Sequence, residues 1–148
     1  MPKTSHRAAA TTLHSRVGHK LGFPRLASDR ELVSLIEKRL PVAAIEALTR
    51  GGLADAEVYR LIVPRRTLAH RISRREPLSK EESDRAVRVA RITAMAEKVF
   101  GDAERAWRWL RKPKRQFNGG TPIELLSSEA GARVVEELIT EIDYGMAA

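Results

Sequence analysis

The chain has 148 residues, of which 43% are hydrophobic and 31% charged, with a net charge of +8 and no cysteine. This amount of apolar material supports a packed core, and the lack of cysteine excludes disulfides and thiolate metal sites. Aromatic residues make up only 5% of the chain, which favours helices over sheets, and no apolar run approaches the roughly 18 residues that span a bilayer.

The first 27 residues are predicted to form a flexible basic arm, residues 1–27. They show no sustained periodicity, and Gly18, Gly22 and Pro24 interrupt any helix that starts there. A basic arm can touch DNA phosphates, and the sequence leaves open whether this one does.

Residues 28–100 are predicted to form a helix-turn-helix bundle. A capping box opens the first of two apolar helices within residues 30–49, which serve either as core or as a dimer surface. Short helices follow over residues 53–62 and 65–72, with a turn between them. The longest helical run comes next, over residues 79–100, and a second capping box opens it.

Residues 101–148 are predicted to form a second, smaller helical module. Asp102 caps a helix that ends before Pro113, a basic loop follows, and a third capping box begins at Thr121. The last helix runs over about residues 128–144. Because the sequence contains no clear strand and no internal repeat, the expected fold class is all-α, a helix-turn-helix bundle followed by a small helical module.

The turn between the two short helices leads directly into a cationic helix start, which is typical of a DNA-recognition helix. Such a helix reads base edges with its N-terminal residues, and Arg can bind guanine through two parallel hydrogen bonds. Two arginines at a helix start oppose the positive end of the helix dipole, so we expect them to face an anion. The predicted DNA-binding residues are Arg65, Arg66, Thr67, His70, Arg71, Arg74 and Arg75.

The charge changes sign along the chain. Residues 1–75 carry 15 basic side chains against 6 acidic ones, whereas residues 116–148 carry 1 against 6. A basic body with an acidic end indicates two different partners.

The C-terminal half contains an ordered set of short motifs. They are Trp109-Leu110, Pro113, Gly120-Thr121-Pro122, Leu125-Leu126 and Gly131, preceded by Leu78-Ser79-Lys80-Glu81-Glu82. In this order they resemble the Xre/MbcA/ParS antitoxins, and the resemblance covers roughly residues 30–148. Lys114 departs from the family pattern, since members often have Asn after the proline.

The resemblance implies an Xre-like helix-turn-helix part that binds the operon's own promoter and a C-terminal part that binds a RES-domain toxin. Such toxins consume NAD⁺, and an acidic module suits an anion-binding pocket. Trp107 and Trp109 lie two apart on a helix and cannot both face the core, so we expect Trp107 inside and Trp109 either at an interface, where Trp is enriched, or simply exposed. The expected toxin-binding residues are Trp109, Lys114, Asn118, Gly119, Gly120, Thr121, Glu141, Tyr144 and Met146.

No enzyme, cofactor or metal is expected, because His6, His14 and His19 lie in the predicted arm and no His pair has metal-ligand spacing. A stand-alone transcriptional regulator, whose C-terminal module senses a ligand or dimerises, is the alternative. An RNA-binding or structural adaptor is disfavoured, since no aromatic platform for bases is visible. Helix-turn-helix proteins usually read two half-sites, so we expect a cytoplasmic homodimer with no membrane partner.

Overall fold

The computed structural model describes residues 12–147, the last two of them by their backbone alone. Within this range the expected all-α fold is confirmed, with no strand. The α-helices are α1 (Leu13–Leu21), α2 (Asp29–Glu37), α3 (Ala43–Arg50), α4 (Asp55–Leu61), α5 (Arg65–Arg74), α6 (Lys80–Phe100), α7 (Ala103–Leu110) and α8 (Glu129–Ala147). Short 3₁₀ helices cover Arg115–Phe117 and Pro122–Ser127. None of these described helices is both long enough and apolar enough to cross a membrane.

The long helix α6 is the centre of the molecule. A capping box at Ser79 starts it, and Gly101 ends it in the left-handed conformation (φ 95°) that glycine adopts most easily. Ten of its 21 residues are buried, because α1, α2, α3 and α4 pack on it from the N-terminal side of the chain and α7 and α8 from the C-terminal side. The predicted boundary at residues 100–101 falls in the tight turn between α6 and α7, so both parts of the chain share α6 as their core.

The expected flexible arm is wrong for residues 12–27, because this segment contains α1. Thr12 caps the helix by accepting a hydrogen bond from the Ser15 amide at 3.1 Å. Val17 and Leu21 are each 1% exposed and belong to the hydrophobic core. The remainder of the predicted arm, residues 1–11, lies outside the described residues.

The glycine at position 18 is the feature that the sequence reading misjudged. It lies inside α1 and is buried, and a Cβ at this position would come within 2.3 Å of the Phe23 carbonyl oxygen and 2.6 Å of the Leu26 Cβ. The glycine therefore permits close packing of the following turn against the helix rather than breaking it. Lys20 completes the docking through an ion pair with Glu97 of α6 at 2.5 Å.

Most apolar side chains of segment 30–49, predicted as core or dimer surface, belong to the core or pack against it. Leu32, Ile45 and Leu48 are buried, and the sharp bend before α3 is fixed where the Leu40 amide donates to Ser83 Oγ of α6 at 2.8 Å. Val33 points outward with 58% of its surface exposed.

Candidate functional site

The turn before α5 is rigidly anchored. Ile62 and Val63 are buried, and the Ile62 carbonyl accepts a hydrogen bond from Arg85 Nε of α6 at 2.9 Å. Pro64 then precedes α5, whose first turn contains no acidic side chain and has no side-chain cap. The free backbone amides at this helix start therefore face solvent together with the guanidinium groups of Arg65 and Arg66.

The outward face of α5 combines basic and small side chains. Arg65, Arg66, His70 and Arg74 are all exposed, as are Ala69 and Ser73 between them. At about 100° per residue these positions share one side of the helix, while Leu68 packs towards the core. Ten residues give a rod of about 15 Å whose small side chains permit a close approach, and the major groove of about 12 Å admits such a helix.

Arg71, predicted among the DNA-binding residues, is engaged inside the protein instead. Its Nε and Nη2 donate to the two carboxylate oxygens of Glu82 at 2.8 and 3.2 Å, and Nη1 lies 3.5 Å from Glu76. Glu82 is only 4% exposed, so this bidentate ion pair holds α5 on the start of α6. Arg71 thus positions the exposed face of α5. The sequence did not indicate this role, because Arg71 lies in a run of basic residues.

The two partners stabilise each other's charged forms. The hydrogen bond from Arg71 and that from the Ser79 amide outweigh burial, which alone would raise the pKa of Glu82, and they hold that pKa below its ordinary value. The hydrogen bond to Glu82 likewise raises the pKa of Arg71.

The remaining predicted DNA-binding positions are Thr67, which is half-buried, and Arg75, which is exposed and ends α5 in the left-handed conformation (φ 55°).

A second candidate surface lies on the C-terminal module, around Trp109. Trp109 is half-buried, and the centroid of its ring lies 5.2 Å from that of the Phe100 ring. The ammonium of Lys114 sits 5.0 Å above the Trp109 ring. The rings of Trp109 and Phe100 form a compact aromatic surface beneath this ammonium, which we call the Trp109 platform.

The loop after the Trp109 platform is closed on itself. The Lys114 amide donates to the Gly120 carbonyl, and the Gly119 amide donates to the Lys114 carbonyl, both at 3.0 Å. Asn118 and Gly119 turn the backbone with φ values of 52° and 85°. Thr121 caps the next 3₁₀ turn and is half-buried. The structure thus brings Trp109, Lys114 and residues 118–121 together in one ordered segment.

The last helix of the C-terminal module, α8, packs on α6. Helices α6 and α8 run in the same direction, since Arg88 and Glu129 line one cleft and Arg91 pairs with Glu136 further along at 2.8 Å. Phe100 and Tyr144 follow these paired residues by 9 and 8 positions along their helices.

The last two turns of α8 are largely open to solvent. Tyr144 is 75% exposed, and Glu141 and Asp143 are exposed beside it. Of the expected toxin-binding residues, Met146 has a side chain that lies outside the described residues.

Sequence reasoning missed a cluster that joins the two parts of the chain, which we call the α7 clamp. Trp107, expected in the core, is half-buried and donates from Nε1 to the Gly51 carbonyl at 3.0 Å. Arg111 donates to the Gly52 carbonyl at 2.7 Å, pairs with both carboxylate oxygens of Glu57 at 2.7 and 3.2 Å, and lies 4.5 Å above the Trp107 ring. The spacing of Trp107 and Arg111, one helical turn apart, was the available signal.

The α7 clamp fixes the turn that leads into α4, the first helix of the helix-turn-helix. Glu57 belongs to the first turn of α4; hydrogen bonds from Arg111 and the Ala54 amide outweigh the effect of burial, and its pKa lies below the ordinary value. Arg60 of α4 also faces Glu124 of the C-terminal module at 3.8 Å. The module therefore supports the frame on which α5 is presented.

This architecture defines a helix-turn-helix protein whose bundle is extended by a second helical module. The family described as Antitoxin Xre-like helix-turn-helix domain matches residues 31–91, and the family described as Antitoxin Xre/MbcA/ParS C-terminal toxin-binding domain matches residues 95–145. The match confirms the resemblance read from the sequence.

Whole-chain relatives agree with the domain matches. The chain is 43% identical over 131 residues to Antitoxin Xre of Pseudomonas putida, covering 88% of this chain and 82% of that protein. It is 28% identical over 145 residues to Antitoxin Xre of Photorhabdus laumondii subsp. laumondii, covering 96% and 95%. It is 25% identical over 130 residues to the Prs ADP-ribosylating antitoxin of Sphingobium sp., covering 80% and 82%. The chain belongs to the Xre antitoxin family.

Proposed function

We propose that this antitoxin binds and blocks a RES-domain, NAD⁺-degrading toxin and represses its own operon. The observation that carries the proposal is the separation of two surfaces on one rigid frame. One is the exposed cationic face of α5, held by the Arg71–Glu82 pair, and the other is the Trp109 platform with the acidic end of α8.

The α5 face supports operator binding because it presents bidentate donors where a major groove can receive them. Arg65 and Arg66 suit base edges, His70 sits one turn on, and Arg74 and Arg75 suit phosphates. Two-fold symmetric operators call for a homodimer of the chain. Because an operator lies in the cytoplasm of a bacterial cell, we also expect the protein there.

The operator half of the proposal is tested with Arg65→Ala combined with Arg66→Ala. If each arginine makes a base contact, binding to the fragment upstream of the gene weakens by about 2–6 kcal/mol in sum, measured by fluorescence anisotropy at fixed salt. Arg105→Ala combined with Arg108→Ala, which removes the same charge from the exposed face of α7, is the matched control. If the Arg65→Ala, Arg66→Ala double variant binds the fragment with the affinity of the parent chain, α5 does not read the operator.

The acidic end of α8 supports binding to a toxin whose pocket accepts an anionic dinucleotide. Residues 116–148 carry 1 basic and 6 acidic side chains, so they complement a cationic pocket. The name of the relative from Sphingobium includes ADP-ribosylation, a chemistry that uses NAD⁺.

The toxin half is tested by deleting residues 140–148. The truncated chain should bind the operator and fail to protect cells from the adjacently encoded toxin, scored by cell survival and by the NAD⁺ content of the cells. Tyr144→Ala is the point variant, with Thr140→Ala on the same helix as its control, since both side chains are exposed. A neighbouring toxin that still kills in the presence of the parent chain contradicts the antitoxin role and favours a stand-alone regulator.

A further inference from the structure

We propose that Lys114 is a specificity-determining residue of the toxin-binding surface, whose ammonium, held on the Trp109 platform, receives a carboxylate side chain of the partner protein. The proposal rests on the proposed function and names the chemistry of one contact within it.

The position of Lys114 is fixed before any partner arrives. Its backbone amide and carbonyl are both hydrogen-bonded across the loop, to Gly120 and Gly119, and its side chain lies over the Trp109 ring, which Phe100 supports from beside. A lysine held in this way loses little further rotational freedom on binding, so a contact made by it is more favourable than one made by a free surface lysine.

The charge of Lys114 is not compensated within the described chain. The ion pairs among the described residues leave it out, although the nearby Arg111 is paired with Glu57. Burial and the charge of Lys112 both lower the pKa of Lys114. A half-buried cation beside other cations is stabilised when an anion approaches.

The observations favour a protein carboxylate over a nucleic-acid phosphate. The basic side chains of this chain that suit DNA phosphates are the exposed ones on α5, whereas Lys114 is half-buried against the Trp109 ring. Trp is enriched among the hot spots of protein interfaces, and Trp109 lies directly beneath the ammonium of Lys114. The residue also lies within the segment matched as a toxin-binding domain.

A docking surface with both signs would fix how the partner is oriented. The acidic end of α8 and the cation of Lys114 belong to the same C-terminal module, so the partner needs both a basic region and an acidic group to complement it. A partner that lacks the acidic group would leave Lys114 desolvated and unpaired, which discriminates against it.

The test measures binding of the adjacently encoded toxin, in a catalytically inactive form, to the full-length chain by calorimetry at two salt concentrations. Lys114→Met keeps the length of the side chain on Trp109 and removes its charge. We expect it to weaken binding by about 30-fold or more and to reduce the salt dependence, and we expect Lys114→Glu to weaken it further. Lys112→Met, at an exposed neighbouring position, should stay within about 2-fold of the parent.

A second measurement reports on the charge itself. After reductive ¹³C-methylation, the Lys114 resonance, identified by its absence in Lys114→Arg, is titrated with and without toxin. A carboxylate partner raises the pKa of this amine in the complex, whereas an apolar contact lowers it.

The outcomes separate the inference from the proposed function. If the parent chain binds toxin and Lys114→Met binds equally well, or if the amine pKa falls in the complex, the inference is wrong and toxin binding stands. If Lys114→Met loses operator affinity instead, the partner is a phosphate and the inference is again wrong. If the parent chain does not bind the toxin, the proposed function and the inference both fail.

Discussion

The α7 clamp can be tested at Gly52, where the backbone and a tryptophan ring compete for the same space. Gly52 has φ 116°, and a Cβ there would lie 2.3 Å from Trp107 Nε1 and 2.9 Å from Cε2. Gly52→Ala must therefore strain the backbone and displace Trp107, which breaks its hydrogen bond to Gly51 and its contact with Arg111.

The magnitude follows from these three losses. Backbone strain at a positive φ costs about 1–3 kcal/mol, the hydrogen bond contributes about 0.5–1.5 kcal/mol, and an exposed cation–π contact contributes about 0.5–1 kcal/mol. We expect Gly52→Ala to lower the free energy of unfolding by about 2–5.5 kcal/mol in sum.

Gly101→Ala is the matched control, because Gly101 also has a positive φ, of 95°, but a Cβ there meets nothing within 4 Å. The difference between the two variants isolates the displaced tryptophan, about 1–2.5 kcal/mol. Urea denaturation followed by circular dichroism measures both.

The same cost should disappear when the tryptophan is absent. In a Trp107→Ala background, Gly52→Ala should cost no more than Gly101→Ala, because the added Cβ then finds space. Equal losses for Gly52→Ala and Gly101→Ala in the parent chain would refute the claim that α7 closes on the turn before α4.

Three further predictions concern the frame of the recognition helix. Arg71→Met leaves the carboxylate of Glu82 buried without its partner, so we expect a loss of stability of about 2–3 kcal/mol, below the range for fully buried pairs because Arg71 is partly exposed, together with weaker operator binding. If Arg71→Met binds the operator with the affinity of the parent chain, at a temperature where the variant is folded, Arg71 does not position α5. Leu21→Ala should cost about 2–5 kcal/mol in urea denaturation, since Leu21 is 1% exposed, whereas a side chain of a flexible arm would cost almost nothing. Because the folded-state pKa values of Glu57 and Glu82 are lowered, their contribution to stability is present above their unfolded pKa near 4.5 and is lost as pH falls through the folded values. The midpoint of unfolding, measured from pH 7 to below pH 4.5, should therefore fall less steeply with pH in Glu82→Gln than in the parent chain. An equal slope in both chains would show that protonation of Glu82 is not linked to unfolding.

The family and the plan of the chain were predictable from sequence because their signals are local. The capping boxes at Ser79 and Thr121 form as expected, with side chain and amide three residues apart. The start of α5 at Arg65 falls where Pro64 ends the turn, and Asp102 caps α7 through the Arg105 amide. Hydrogen bonds within one turn depend on neighbouring residues alone, so spacing reveals them.

Only the tertiary structure decided which basic and aromatic side chains are free to act. Arg71 pairs with a carboxylate 11 positions away, and Trp107 reaches a carbonyl 56 positions away, while α1 is secured by burial against α6. Helix periodicity shows which residues share one face of a helix, but it does not show which other segment of the chain packs against that face. That choice depends on packing between distant segments, because burial and ion pairing are properties of the whole fold rather than of any one turn.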